Sequence, residues 1–235
     1  MLNSSVVFIA LLATILVEAK DISREKVPYV VSIREAANHL CSGTILRGNW
    51  VLTSPQFVYD LQPELLLIVM GTVDKTDLNA LSVRVKKIEV HPDYHGLAFT
   101  NALALLKTKE DISYSKLVMP IELPTAPTKI DENLLALGWK FEEDKNPTNN
   151  LQVKNVTSLS NKYSPDKSAL AIKDNKGFDT DEEFFSDIGG PLVKEDTIVG
   201  VVLIMFEPSE SKRSGLCARV YEGLPWINEM LKDNY

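Results

Sequence analysis

Ser186-Asp187-Ile188-Gly189-Gly190-Pro191-Leu192-Val193 is the stretch that decides the fold. It runs from polar residues through two glycines into a short apolar strand, Pro191–Val193. Downstream come two further β-rich runs, Thr197–Met205 and Leu216–Tyr221. Upstream, apolar and β-branched runs of the same length recur between turn residues: Val27–Ile33, His39–Leu46, Trp50–Thr53, Leu65–Gly71, Leu81–His91, Leu103–Thr108, Leu134–Trp139, Leu151–Leu159 and Ala169–Ile172. Many short strands at regular spacing predict an all-β barrel or sandwich. One helix is expected, at Leu224–Leu231, where Leu224, Ile227, Met230 and Leu231 share a face and Pro225 falls in the first turn.

Three further stretches join the first. His39-Leu40-Cys41-Ser42-Gly43-Thr44-Ile45-Leu46 precedes Trp50-Val51-Leu52-Thr53; Val90-His91-Pro92-Asp93-Tyr94 precedes Ala102-Leu103-Ala104-Leu105-Leu106-Lys107; and Gly215-Leu216-Cys217-Ala218-Arg219-Val220 precedes Trp226-Ile227. In this order and spacing, over about residues 27–232, the four stretches resemble the chymotrypsin/trypsin family of serine proteases. The resemblance implies two six-stranded antiparallel β-barrels and a short C-terminal helix. Barrel 1 is expected at about 27–113, a connector at about 114–129, barrel 2 at about 130–222 and the helix at about 224–232. Pro120, Pro124 and Pro127 agree with an extended connector, since proline cannot donate to a ladder. Glu142–Asn150 reads as a polar surface loop.

The chemistry departs from the family. A serine protease needs a hydroxyl nucleophile, an imidazole base and a carboxylate that orients the imidazole. The matching positions hold Ile188, Gln56 and Ala102. Isoleucine has no nucleophilic atom, glutamine does not take and return a proton near neutral pH, and alanine orients nothing. At the expected oxyanion loop Ser186 stands where the family has glycine, and Glu182 matches a position that often sets charge preference in the pocket. The preferred reading of Glu182 is nevertheless a solvated acidic loop. The family's activation carboxylate is present as Asp187, yet Arg24 is followed by Glu25 and not by the Ile or Val terminus that would pair with it. The resemblance therefore implies a zymogen-like His39–Asp187 hydrogen bond; the competing expectation is that both side chains are solvated.

The 235 residues carry a net charge of −7. Residues 1–19 read as a secretory signal: the apolar run Val6–Val17 ends in Val17-Glu18-Ala19 and is too short to span a bilayer. Removing Glu18 with this segment leaves −6, and such an acidic chain is not expected to bind nucleic acid or an anionic membrane. A secreted, extracellular protein is expected. Its two cysteines, Cys41 and Cys217, are not assigned as a pair; the family partner of Cys41 is replaced by Phe57. Asn155-Val156-Thr157 is an N-glycosylation sequon. His91 and His95 lack partners at metal-ligand spacing, so neither a metal nor any cofactor is expected.

Three functions fit. The first is a pseudoprotease that binds a protease, a protease inhibitor or another extracellular protein, through loops near Phe57–Gln62, Leu97–Asn101 and Asp179–Phe185. Phe184 and Phe185 would be an apolar anchor if exposed and filler if buried. The second is a serine-type endopeptidase with weak or no activity, which is what the fold alone would suggest. The third is a relic without a selected role.

Overall fold

The computed structural model describes residues 22–139, 149–175, 187–206 and 214–232. The expected signal segment, the loop stretch 140–148 and the pocket stretch 176–186, which includes Glu182, Phe184, Phe185 and Ser186, lie outside the described residues.

Among the described residues, twelve strands form two closed antiparallel barrels, and one α-helix follows them. Barrel 1 holds β1 (Val30–Glu35), β2 (Asn38–Arg47), β3 (Trp50–Thr53), β4 (Leu66–Met70), β5 (Leu81–Val90) and β6 (Ala104–Thr108), in the order β1-β2-β3-β6-β5-β4. Barrel 2 holds β7 (Asn133–Gly138), β8 (Gln152–Ser158), β9 (Ala169–Asp174), β10 (Pro191–Lys194), β11 (Thr197–Phe206) and β12 (Ser214–Arg219), in the order β10-β11-β12-β9-β8-β7. Closure leaves no sheet edge unpaired, which suits short strands that could not stand alone.

Each barrel has its own apolar filling. Ile33, Ile45, Ile68, Val85 and Leu106 fill the first, and Leu134, Val156, Ile172, Leu192 and Cys217 the second. A third cluster joins the barrels: Val30, Trp50, Leu52, Leu103 and Leu105 meet Leu137, Trp139, Val193, Ile198 and Val201. The connector is laced to both barrels, with Ile121 N–H donating to Ile45 O at 3.1 Å and Ile198 N–H to Glu122 O at 3.0 Å.

Most strand ends differ from expectation by one to three residues, and two of the boundary differences have a packing cause. Strand β1 starts at Val30, not Val27, because Val27 sits in a turn and packs into the seam. The helix α1 (Val220–Met230) starts one turn before Leu224. Pro225 therefore lies in its second turn, where it lacks the N–H that would bond back four residues. Packing outweighs that loss: Val220 and Ile227 are fully buried, and Gly223 lies against Leu103 so closely that a Cβ would collide with it.

His91 ties barrel 1 to this helix. Its ring lies 5.0 Å from Trp226, and its Nδ1 accepts the Asp93 N–H at 3.2 Å. Burial holds the imidazole below its ordinary value of 6.5, against the opposing pull of Asp93. The folded state thus favours neutral His91. That stability is present above the unfolded value and is lost as pH falls through the folded one. The melting temperature should fall as pH drops below about 6.5, and His91→Gln should flatten that decline; an unchanged pH profile in the variant would show that His91 does not contribute.

Candidate functional site

The junction of the barrels is built by three backbone segments. β1 and β2 pair with Ser32 opposite Ser42 and Arg34 opposite His39. β7 ends at Gly138, which puts the Trp139 N–H next to the seam. The turn Asp187–Gly190 enters β10 between them. Gly189 has φ +85°, and a Cβ there would collide with Ser42 O and Thr53 Oγ1. Only glycine adopts that conformation readily and leaves room for the close approach. The turn is fastened on both sides: Ser42 N–H donates to Ile188 O at 3.0 Å, and Gly189 N–H to Val202 O at 2.8 Å.

Asp187 is fully buried. Its Oδ2 accepts from Ser42 Oγ and from Trp139 N–H, each at 2.5 Å, and its Oδ1 lies 3.3 Å from His39 Nε2. The structure thus brings His39 and Asp187 together, with the His39 side chain only 6% exposed. Arg34 Nε–H donates to Ser32 Oγ at 3.1 Å, and arginine can only donate. Ser32 Oγ also lies 2.8 Å from His39 Nδ1, so one hydrogen-bonded chain joins Arg34, Ser32, His39 and Asp187, with His39 Nε2 as the ring nitrogen that faces Asp187. A buried carboxylate is thereby met by three donors, the arrangement that makes such burial tolerable.

Arg34 extends this chain to the surface loop between β4 and β5. Arg34 is 2% exposed, and its guanidinium donates to Asp77 O at 2.9 Å and Asp74 O at 3.4 Å. Burial lowers its pKa, while Asp77 and Asp74 oppose that. Trp139 closes a ring by donating from Nε1 to Val73 O at 2.6 Å, and its indole meets His39 edge-on at 5.3 Å. Ser32, Arg34, Ser42 and Trp139 were not legible as partners of Asp187. Only the alternation of β1 and β2, which aims Ser32 and Arg34 to one side, hints at it.

Gln56 sits half-buried in a single 3-10 turn, Pro55–Phe57, just after β3. Its Oε1 accepts from Ser54 Oγ at 2.8 Å. Ala102 is fully buried before β6, and Ile188 is half-buried beside Asp187. Asn155 is exposed on β8.

Cys41 and Cys217 are both unbridged and buried, at 1% and 0% exposure. Burial pushes both thiols up, and nearby Asp187 adds to this at Cys41. The thiolate is the reactive form, so neither sulfur is a nucleophile near neutral pH. Ellman's reagent should find almost no thiol in the native protein and two after unfolding in guanidinium; fast native labelling would contradict the burial.

Two closed six-stranded barrels, with a glycine-rich turn and a buried aspartate at their seam, define a chymotrypsin-like serine protease fold. Residues 16–227 match the trypsin family model, and the chain belongs to that family. Trypsin 5G1 of Aedes aegypti is 27% identical over 224 residues, covering 89% of this chain and 82% of the mosquito protein. The Drosophila melanogaster serine proteinase stubble is 26% identical over 249 residues, or 93% of this chain and 31% of its own length. Two solved structures share the fold. Mouse neuropsin has a TM-score of 0.77 at 17% identity, over 91% of this chain and 99% of its own. A scabies mite inactivated protease paralogue, S-D1, has a TM-score of 0.78 at 24% identity, over 91% and 96%.

Proposed function

We propose that this protein is a secreted, non-catalytic serine protease homologue that acts by binding another extracellular protein, a protease or a protease inhibitor. The observation that carries this is the identity of three residues. Ile188, Gln56 and Ala102 occupy the positions that the family resemblance assigns to nucleophile, base and orienting carboxylate. In a subtilisin example, losing the nucleophile or base alone costs about a million-fold in turnover. Among the described residues no neighbouring group takes over. The Cys41 thiol is held protonated by burial, and Thr53 Oγ1 donates to Ser42 O at 2.7 Å.

The His39–Asp187 contact supports the same reading. A carboxylate already satisfied by a histidine, a serine and a backbone N–H has no need of an incoming amino terminus, so the turn stays in a zymogen-like state. The mite protein with the same fold is described as an inactivated protease paralogue. For a binding surface, Phe57 and Tyr59 are exposed at 41% and 56% beside Gln56, and the Tyr59 ring packs edge-on to Tyr94 at 6.5 Å. Aromatic side chains on a rigid barrel are good anchors.

Two measurements test this. A fluorophosphonate probe should label trypsin but leave this protein unlabelled, and Ile188→Ser should stay unlabelled because Gln56 supplies no base. Labelling of the unaltered chain would overturn the non-catalytic reading. Affinity capture from the native secretion should retain a protease or an inhibitor in stoichiometric amount; retention of neither would overturn the binding reading.

A further inference from the structure

We propose that Asn155 carries an N-linked glycan whose first sugars lie over Leu135, on the outer face of barrel 2. This rests on the reading of the protein as secreted, because the modification takes place in the secretory pathway. The sequon alone states that Asn155 can be modified. The structure adds what surrounds it. Asn155 points outward from β8, and its direct partner across the β7–β8 pair is Leu135, which is 37% exposed. The next outward pair is Asn133 and Thr157, and on the other side the Asn175 N–H donates to Asn155 O at 3.1 Å. Asn155 thus stands beside Leu135, with Asn133, Thr157 and Asn175 next to the pair and Lys173 opposite Thr157 across β8–β9. A leucine face with flanking amides suits an N-acetylhexosamine. The apolar side of the sugar ring can cover the leucine, and the amides can bond its hydroxyl and acetamido groups.

The folded strand also fixes when the transfer happens. Thr157, whose hydroxyl the sequon requires, is 8% exposed, and its Oγ1 contacts Asn133 Oδ1 and Asn175 Oδ1. The reaction therefore precedes the seating of β8. In it, the Asn155 amide nitrogen attacks the anomeric carbon of a lipid-linked oligosaccharide. A C–N bond forms, the C–O bond to the lipid diphosphate breaks, the diphosphate leaves and one amide proton goes to a base.

The test is expression of the full chain in insect cells, followed by intact mass analysis of the medium before and after peptide N-glycosidase F. The expected secreted species loses an oligosaccharide mass on digestion and carries a carboxylate at position 155. Asn155→Gln, at an exposed position that leaves the fold intact, and Thr157→Val should lack that mass, whereas Thr157→Ser should keep it. For the placement, deglycosylation should speed hydrogen exchange in β7 and increase binding of an apolar dye, and Leu135→Thr should remove the dye increase. Secretion at the bare polypeptide mass overturns the glycan while leaving the secretory reading intact. Retention of the unmodified chain in the cytosol overturns both. A glycan whose removal changes neither exchange nor dye binding overturns its place over Leu135.

Discussion

Asp187→Ala is expected to destabilise the protein by about 3 kcal/mol, because three buried donors lose their shared acceptor. The carboxylate is fully buried and is the shared acceptor for His39 Nε2–H, the Ser42 hydroxyl and the Trp139 N–H. Alanine leaves these donors facing a cavity, and each unmet one costs about 1–3 kcal/mol unless it turns to another acceptor. Ser42 can rotate, but the Trp139 backbone cannot. Asp187→Asn keeps the volume and one acceptor oxygen but turns an NH2 toward an existing donor, so it should cost less, about 2 kcal/mol. Urea unfolding at a shared m-value would measure both. For a chain of this size the alanine change corresponds to a melting temperature drop of order 10 °C. An alanine variant within about 1 kcal/mol of the parent would mean that Asp187 is hydrated and that the three contacts carry little.

The second large effect is expected at the turn itself. Gly189→Ala forces a side chain onto a residue with φ +85°, against the Ser42 carbonyl and Thr53 Oγ1. Gly190→Ala drives its Cβ into the Leu137 carbonyl. Backbone obstacles do not yield as side chains do, so each change should cost about 3 kcal/mol, the upper end for overpacking. Gly223→Ala is the comparison. There the obstacle is the Leu103 methyl, which can shift, and alanine favours the helix by about 1 kcal/mol, so the net change should be small. Equal losses in all three variants would show that the two turn glycines have no special role.

The strands were readable because strand signals are local. Apolar runs broken by turn residues marked all twelve, and only their ends moved by a few residues. The exceptions were places where a distant partner decides. Val27 looks like a strand residue but serves the seam, and α1 starts early because Gly223 fits Leu103. Two of the site residues brought together, His39 and Asp187, were legible through the family resemblance. Ser32, Arg34, Ser42 and Trp139 were not, since their roles depend on the register of β1 against β2 and on where β7 ends beside the other barrel.

By itself the sequence determined which atoms are available. An isoleucine at 188, a glutamine at 56 and an alanine at 102 bring no nucleophile, base or carboxylate, whatever the fold does with them. It also determined the family, through four short motifs in order. Only the tertiary structure decided how the aspartate left in the site is satisfied. Asp187 meets a histidine 148 residues away and a serine 145 residues away, and the chain of contacts along Arg34, Ser32 and His39 exists only once β1 and β2 are in register. Side-chain chemistry is written residue by residue, whereas hydrogen bonding between distant strands depends on register and closure, which no local pattern encodes.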